Sequence, residues 1–286
     1  MIDWFTAPLA YEFMQRAMAA SLMVGILCAV VGCYVVLRSM AFLGDAMAHS
    51  ILPGVAVAYL LSGNLMVGAL ISAISVALGI GLLSRQGTVK EDTAIGILFA
   101  AALSLGIALI STTKTYARDL THILFGNVLG VSTGDLWLTG SVGLAVLATV
   151  AVFYKEFLVV SFDPILAATL RLPTEFLRTL MLVLIALAIV VSMQTVGVGL
   201  VAAMLVTPAA TALLVARRLP FMMAVSALVG AVSAVVGLYL SFYINVASGA
   251  AVVLVATIIF IMVFLLAPHK GVLWRRVRRM RVPSKI

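Results

Sequence analysis

The chain has 286 residues, of which 64% are hydrophobic and only 10% are charged. This balance excludes an ordinary soluble domain, in which about 25% of residues are charged, and it predicts that most of the chain lies in lipid. The net charge of +8 comes from basic residues at the ends of apolar runs, which is the positive-inside pattern of membrane proteins. We therefore expect an all-α polytopic membrane protein, one transmembrane domain over residues 1–286, with no nucleic acid as partner.

Apolar runs predict about eight to nine transmembrane helices, since one crossing needs about 20 residues. The runs cover residues 13–37, 45–62, 65–84, 93–112, 136–156, 177–196, 199–216, 221–243 and 248–267. The runs 45–62 and 199–216 are short, so either could be a broken or partial span. If all nine cross, most basic residues fall on one side, and the N-terminus lies outside and the C-terminus inside.

Four polar segments flank or separate these runs. Residues 1–12 form an N-terminal segment, and the Arg-rich residues 270–286 form a basic tail that we expect in the cytosol against lipid headgroups. Residues 113–135 are expected outside. They contain Asp119 and His122, for which a local hydrogen bond and a role at the entry or gate both stay open.

The fourth polar segment, residues 155–178, is predicted to be a cytosolic loop with a short helix of its own. Asp163 suits the N-cap of that helix and Pro164 suits its first position. Pro173 is expected to interrupt it near Leu172. A short helix in a cytosolic loop is the kind of element that docks on a partner.

Asp45 and His49 are the most informative residues, because the apolar segments contain almost no other charge. A carboxylate in hydrocarbon costs about 2.5–3.5 kcal/mol. Residues four apart share a face of a helix, about 5–6 Å between Cβ atoms, so an oxygen and a nitrogen ligand can converge. Alternatively, Asp45 is the N-cap of a helix and His49 hydrogen-bonds to it.

A pair of ligands is too few for a metal ion, but a twofold dimer would supply two carboxylates and two imidazoles about one axis. A mixed oxygen and nitrogen set suits manganese, iron or zinc better than calcium or copper(I). Met40 and Met47 flank the pair and are interpreted as packing residues. No phosphate-binding G-x-x-x-x-G-K-[ST] motif occurs, so ATP hydrolysis is expected on a separate subunit, and this chain is not an enzyme.

Five blocks of the sequence resemble the membrane permeases of the manganese/zinc/iron branch of ABC importers. They are RSMAFLGDAMAHSILPG (38–54), DTAIGILF (92–99), DLTHILFGN (119–127), SFDPILA (161–167) and MQTVGVGLVAAMLVTPAATA (193–212). The blocks keep their order and spacing, and the resemblance extends over about residues 13–270. Within the branch, the chain is more similar to the manganese-type permeases than to the zinc-type.

The resemblance implies a homodimeric permease in the plasma (inner) membrane of a prokaryote. Its partners would be two cytosolic ATP-binding subunits and an extracellular metal-loaded solute-binding protein, and it would hold no permanent cofactor. Asp45 and His49 match the metal ligands of the family, and residues 161–172, with Asp163, Pro164, Leu166 and Ala167, match its coupling helix. The family usually has Gly where this chain has Arg171, which leaves the end of that helix open.

The favoured function is ATP-driven import of Mn²⁺, with Zn²⁺ or Fe²⁺ import as the alternative in the same class. An ion-coupled secondary carrier is a different class, which inverted repeats with paired broken helices would favour. We find no convincing internal repeat of this kind. A purely structural membrane protein would leave the acid and the imidazole unexplained.

Overall fold

The computed structural model describes residues 8–85, 89–112 and 130–267, and these residues form helices joined by short turns, with no strand among them. The helices are α1 (Glu12–Leu37), α2 (Leu43–Ser50), α3 (Leu52–Leu60), α4 (Leu65–Ser84), α5 (Glu91–Ser111), α6 (Thr133–Val152), α7 (Tyr154–Phe162), α8 (Pro164–Thr169), α9 (Thr174–Val196), α10 (Val198–Val215), α11 (Leu219–Ile244) and α12 (Ser248–Leu266). The predicted all-α class is confirmed. The basic tail 270–286 lies outside the described residues.

Nine helical segments in the described ranges are long and apolar enough to cross a membrane, α2 and α3 counting together as one. The short run 45–62 is a broken span, because α2 ends at Ser50 and α3 begins at Leu52. Pro53 lies in the first turn of α3 and has no backbone N–H to donate to the preceding turn. The other short run is the continuous helix α10, which accommodates Pro208 in its interior.

The core of the bundle is built around α1 and α9, in each of which 67% of the most apolar 18-residue stretch is buried. Helix α1 packs on α10 and α11, and α9 packs on α4 and α6. Glycine allows the closest of these approaches: a Cβ added to Gly32 would overlap the carbonyl oxygen of Leu205 on α10. In the α3–α4 hairpin, Gly54 and Gly68 meet backbone to backbone in the same way. Such small-residue contacts are typical of helices that associate in lipid.

Three side-chain contacts, two at one end of the bundle and one at the other, show which helix ends lie on the same side. Glu91, at the start of α5, bonds both Arg38 at the end of α1 and Arg178 near the start of α9. At the opposite end of the bundle, Gln194 near the end of α9 donates to the carboxylate of Asp135 in the first turn of α6, at 3.2 Å. These neighbours agree with the alternation of nine crossings and with the basic residues collecting on one side.

The loop 155–178 contains the predicted short helix, α8. The Oδ1 atom of Asp163 accepts hydrogen bonds from the backbone N–H groups of Ile165 and Leu166, at 3.0 and 2.9 Å, and Pro164 occupies the first position. The predicted cap is confirmed. The predicted interruption by Pro173 is wrong, because α8 already ends at Thr169 and Pro173 instead precedes α9.

Arg171 ends α8 in the conformation that glycine would adopt. Its φ is 55°, and the N–H groups of Arg171 and Leu172 donate to the carbonyls of Ala168 and Ala167 at 3.0 and 3.1 Å. This is a Schellman motif with a non-glycine residue in the left-handed position. The left-handed stop is therefore kept without glycine, at a conformational cost of about 1–2 kcal/mol.

We predict that Arg171→Gly stabilises the end of α8 by about 1 kcal/mol, because glycine adopts positive φ without a Cβ clash. Hydrogen exchange of the α8 amides should slow by about fivefold. Asp163→Ala is the comparison variant, for which we expect the opposite effect. It removes the N-cap and should speed the exchange of the same amides by about as much. Unchanged or faster exchange in Arg171→Gly would contradict the strain at this position.

We predict that a cysteine at Thr133 reacts with a membrane-impermeant maleimide in intact cells, because the nine-crossing topology puts the start of α6 outside. Thr133 is exposed, and the two native cysteines, Cys28 and Cys33, are buried, so background labelling should be low. A cysteine at the exposed Ala168 of α8 is the control and should react only after the membrane is opened. The reverse pattern would invert the topology.

Candidate metal site and coupling helix

Asp45 and His49 lie one turn apart on the same face of α2. The Nε2 atom of His49 is 3.6 Å from the Oδ1 atom of Asp45, and 31% of the histidine side chain and 47% of the aspartate side chain are exposed. This separation is too long for a hydrogen bond. The two groups therefore present one nitrogen and one oxygen donor side by side on an open face of a membrane-crossing segment.

The alternative in which Asp45 caps a helix and bonds His49 is wrong. Helix α2 begins at Leu43 and has Phe42 at its N-cap position, with no side-chain capping bond. Asp45 is the third residue of the helix, where a carboxylate still interacts favourably with the positive end of the helix dipole. That interaction does not require a histidine one turn later.

The opposite face of α2 fixes the direction in which the pair points. A Cβ added to Gly44 would lie 2.9 Å from the side chain of Leu205 on α10, so α2 and α10 are in close contact there. Met47 and Met40 are 1% and 2% exposed, which confirms their interpretation as packing residues. Because these residues fill the interior, Asp45 and His49 can only face outward from the protomer.

An aromatic cluster borders the pair, and the sequence analysis missed it. The ring of Phe99 on α5 lies 6.1 Å from the imidazole of His49 and 5.5 Å from the ring of Phe42, centroid to centroid. Phe42 precedes Asp45 by three residues and His49 by seven, so the helical period puts all three on one face. That spacing is the signal that could have identified Phe42. Phe99 is brought to the site only by tertiary packing.

One protomer alone does not supply a complete metal site at this pair. No group of three or more His, Cys, Asp or Glu side chains that could hold a metal ion occurs in residues 8–85, 89–112 and 130–267. Manganese, iron and zinc in proteins take four to six ligands in all, some of them water. Further donors must therefore come from outside this face. Asp119 and His122, the candidate entry or gate residues, lie outside the described residues.

Helix α8 exposes an apolar surface, but not all of the residues predicted for it contribute. Leu166 is 47% exposed and Ile165 is 78% exposed, whereas Ala167 is completely buried. The prediction of Ala167 as a docking residue is wrong, because successive residues of a helix point in different directions and Ala167 points into the core cluster. The sequence analysis did not name Ile165, which lies inside the SFDPILA block, or the 56% exposed Leu170, which lies three residues after it.

The sequence of the chain is similar to those of known transport proteins. The model of the ABC 3 transport family matches residues 10–267. The manganese transport system membrane protein MntC of Listeria monocytogenes is 49% identical over 268 residues, covering 94% of this chain and 95% of that protein. A protein of Haemophilus influenzae named as a probable iron transport system membrane protein is 39% identical over 261 residues, covering 91% and 96%.

A solved structure, PsaBC from Streptococcus pneumoniae in complex with Fab, matches with a TM-score of 0.83 and 39% identity, covering 98% of this chain and 100% of the other. The family match spans all nine candidate crossings. The family match and the apolar helices make the chain a multi-pass protein of the cell membrane. It belongs to the ABC 3 transport family.

Proposed function

We propose that this chain is the permease subunit of an ATP-driven importer in a prokaryotic plasma membrane, and that its cargo is a divalent transition metal, Mn²⁺ first. The observation that carries the proposal is the Asp45–His49 pair on the open face of α2. The family and the manganese-transport relative support the class of transporter. The pair gives the chemistry of the cargo.

The exposed face of α2 favours a symmetric dimer with the pairs at its axis. An acid that faces hydrocarbon costs up to about 2.5–3.5 kcal/mol, and that cost is removed if a second copy encloses the pair in a polar path. Two carboxylates then neutralise a dication, and two imidazoles complete a mixed oxygen and nitrogen set. Four protein donors leave room for water, so the ion can leave as well as bind.

The choice of metal rests on ligand chemistry and on the relatives. Carboxylate and imidazole donors without thiolate suit Mn²⁺ and Fe²⁺, and the named relatives include a manganese system and an iron system. Fe²⁺ is therefore the second candidate, and Zn²⁺ remains the alternative because it accepts the same donors. Uptake of Mn²⁺ by the reconstituted complex, in competition with Fe²⁺ and Zn²⁺, decides among them.

The partners follow from what the chain lacks and what it exposes. It has no phosphate-binding loop, so two cytosolic ATP-binding subunits supply the energy. The apolar surface of α8, made of Ile165, Leu166 and Leu170, is the docking element for those subunits. Asp163 and Pro164 build the helix that presents it. A solute-binding protein delivers the ion outside, where Asp119 and His122 serve entry or gating.

We predict that Asp45→Asn and His49→Ala each reduce Mn²⁺ uptake at least about 100-fold, since even outer-shell partners of a metal cost 10–100-fold. Asp45→Asn keeps the shape but removes two negative charges per dimer, and His49→Ala removes two nitrogen donors. The measurement is ATP-dependent Mn²⁺ uptake into proteoliposomes that contain the complete complex. Folding, dimerisation and assembly with the ATPase should be unchanged.

The control for this pair of variants is Met47→Leu, which replaces a buried neighbour of similar volume and should leave uptake near the wild-type rate. Wild-type uptake by Asp45→Asn would exclude the pair from the metal path. Loss of uptake in Met47→Leu as well would mean that any change in α2 is harmful, and the metal-ligand interpretation would lose its support.

We predict that Ile165→Asp and Leu166→Asp each prevent stable binding of the ATP-binding subunit. An unpaired charge at an apolar interface costs of the order of 2–5 kcal/mol, which is at least about a 30-fold loss of affinity. The measurement is co-purification of the ATP-binding subunit with the substituted permease. Ile165→Leu and Leu166→Met keep the surface apolar and should co-purify normally, whereas undiminished assembly of the Asp variants would exclude α8 as the docking element.

A further inference from the structure

One carboxylate, that of Glu91, is shared by two arginines at the end of the bundle where α8 lies. The Nη2 atom of Arg38 donates to both oxygens of Glu91, at 2.7 and 2.9 Å. The Nε atom of Arg178 donates to Oε1 at 2.6 Å. The three side chains are 9%, 13% and 25% exposed for Arg38, Glu91 and Arg178. They form one partly buried cluster that joins three helices.

The composition of this cluster is not what stability alone would favour. Two guanidinium groups face one carboxylate, so a positive charge is left without a partner of its own inside the cluster. Burial lowers the pKa of Arg38, and the neighbouring carboxylate acts in the opposite direction. Replacing buried charges by apolar groups is often neutral or stabilising. All three groups lie at or near helix ends, and their partial burial inside the bundle is what makes them candidates for function.

The two arginines belong to the two segments that matter for transport. Arg178 lies in the second turn of α9, directly after the short connection 170–173 from α8. Arg38 ends α1 and opens the connection to α2, whose third residue is Asp45. Glu91 therefore bridges the start of the helix that follows the docking element and the start of the segment that leads into the metal pair.

Helix α2, which carries Asp45 and His49, is set off from its chain neighbours by a turn at each end. It has only eight residues and is separated from α3 at Ile51. On its other side, Ser39 has a φ of 59° and makes a sharp turn after Arg38. A groove of about 670 Å³ between the end of α4 and the start of α9, lined by Gly81, Leu82 and Thr179 among others, leaves α9 room for displacement at this end.

We propose that Glu91 is a positioning residue that transmits the displacement of α8 and α9, through Arg178 and Arg38, to the helix that carries Asp45 and His49. This inference rests on the proposed function. Because a single carboxylate holds both arginines, the start of α9 cannot shift without carrying the Arg38–Phe42 connection with it. The cluster is thus required for coupling ATP hydrolysis to metal movement, and not for metal binding or for docking.

The sharpest variant is Arg178→Gln. It removes the ion pair between α9 and Glu91, while the weaker contact of Arg38 Nη1 with the Sδ atom of Met181 on α9, at 3.5 Å, stays in place. Arg38 and Glu91 remain as a balanced pair, so the partly buried charge that is left is better compensated than before. In proteoliposomes with the ATP-binding subunits and the solute-binding protein, the readout is Mn²⁺ transported per ATP hydrolysed. We expect ATPase activity within about twofold of wild type and a transport ratio lower by at least about tenfold. Mn²⁺ binding to the detergent-solubilised complex should be unchanged.

Three further variants separate transmission from simple stability. Arg178→Lys keeps the charge and one contact, and should restore at least about half of the ratio. Glu91→Asp keeps the charge but shortens its reach, and should lower the ratio even if Arg178→Gln does not fold. Asp92→Asn changes an exposed acid beside Glu91 and should be indistinguishable from wild type.

A wild-type ratio in Arg178→Gln or in Glu91→Asp would overturn the inference. A loss of uptake that merely follows the loss of folded complex, with the same amount of Mn²⁺ transported per ATP hydrolysed, would also overturn it. A merely structural contact behaves in this way. Wild-type protein without any ATP-dependent Mn²⁺ uptake would instead overturn the proposed function and this inference with it. The two failures are therefore distinguishable from the wild-type result alone.

Discussion

The cost of placing charge in hydrocarbon is the constraint on which the rest of this structure depends. A chain with only 10% charged residues positions nearly all of them at helix ends, where headgroups and water are near. Asp45 and His49 are the carboxylate and the imidazole of the span Leu43–Leu60, in the first two turns of α2 and on a partly exposed face. A bundle with this pair on its outer face needs a polar path or a second copy against that face. The cost of placing one carboxylate in hydrocarbon therefore determines the expected assembly.

Close backbone packing fixes the direction in which that face of α2 points. Gly32 and Gly44 bring α1 and α2 against Leu205 of α10, and Gly54 meets Gly68 in the adjacent hairpin. Lipid offers no hydrophobic force between helices, so van der Waals contact at small residues must hold them together. With one side of α2 held so closely, its other side has no freedom to turn inward. Packing among apolar residues thus orients the polar pair.

The sequence predicted those features that depend on local or periodic information. Hydropathy predicted eight to nine crossings, of which the structure has nine candidates in the described residues. The Asp163–Pro164 pair was enough to predict the start of α8, because capping is a contact over three residues. Burial of Ala167 was not predictable, since the direction of a side chain on a six-residue helix depends on which neighbour the helix meets. The contacts of Glu91 with Arg38 and Arg178 join residues 53 and 87 positions apart, and no periodicity indicates them.

In the part of the chain that the structure describes, four helix ends turn through non-glycine residues with positive φ, at Ser39, Ser62, Arg171 and Asn245. Each such residue costs about 1–2 kcal/mol that glycine would avoid, yet glycine would also loosen the unfolded chain and the turn. Ser39 lies in the turn that enters α2, the helix with Asp45 and His49, and Arg171 lies in the turn that leaves α8. A stiff turn transmits displacement better than a flexible one, because less of the motion is absorbed in backbone torsion. Side chains at these two positions therefore suit the transmission of movement from α8 to α2 that we propose.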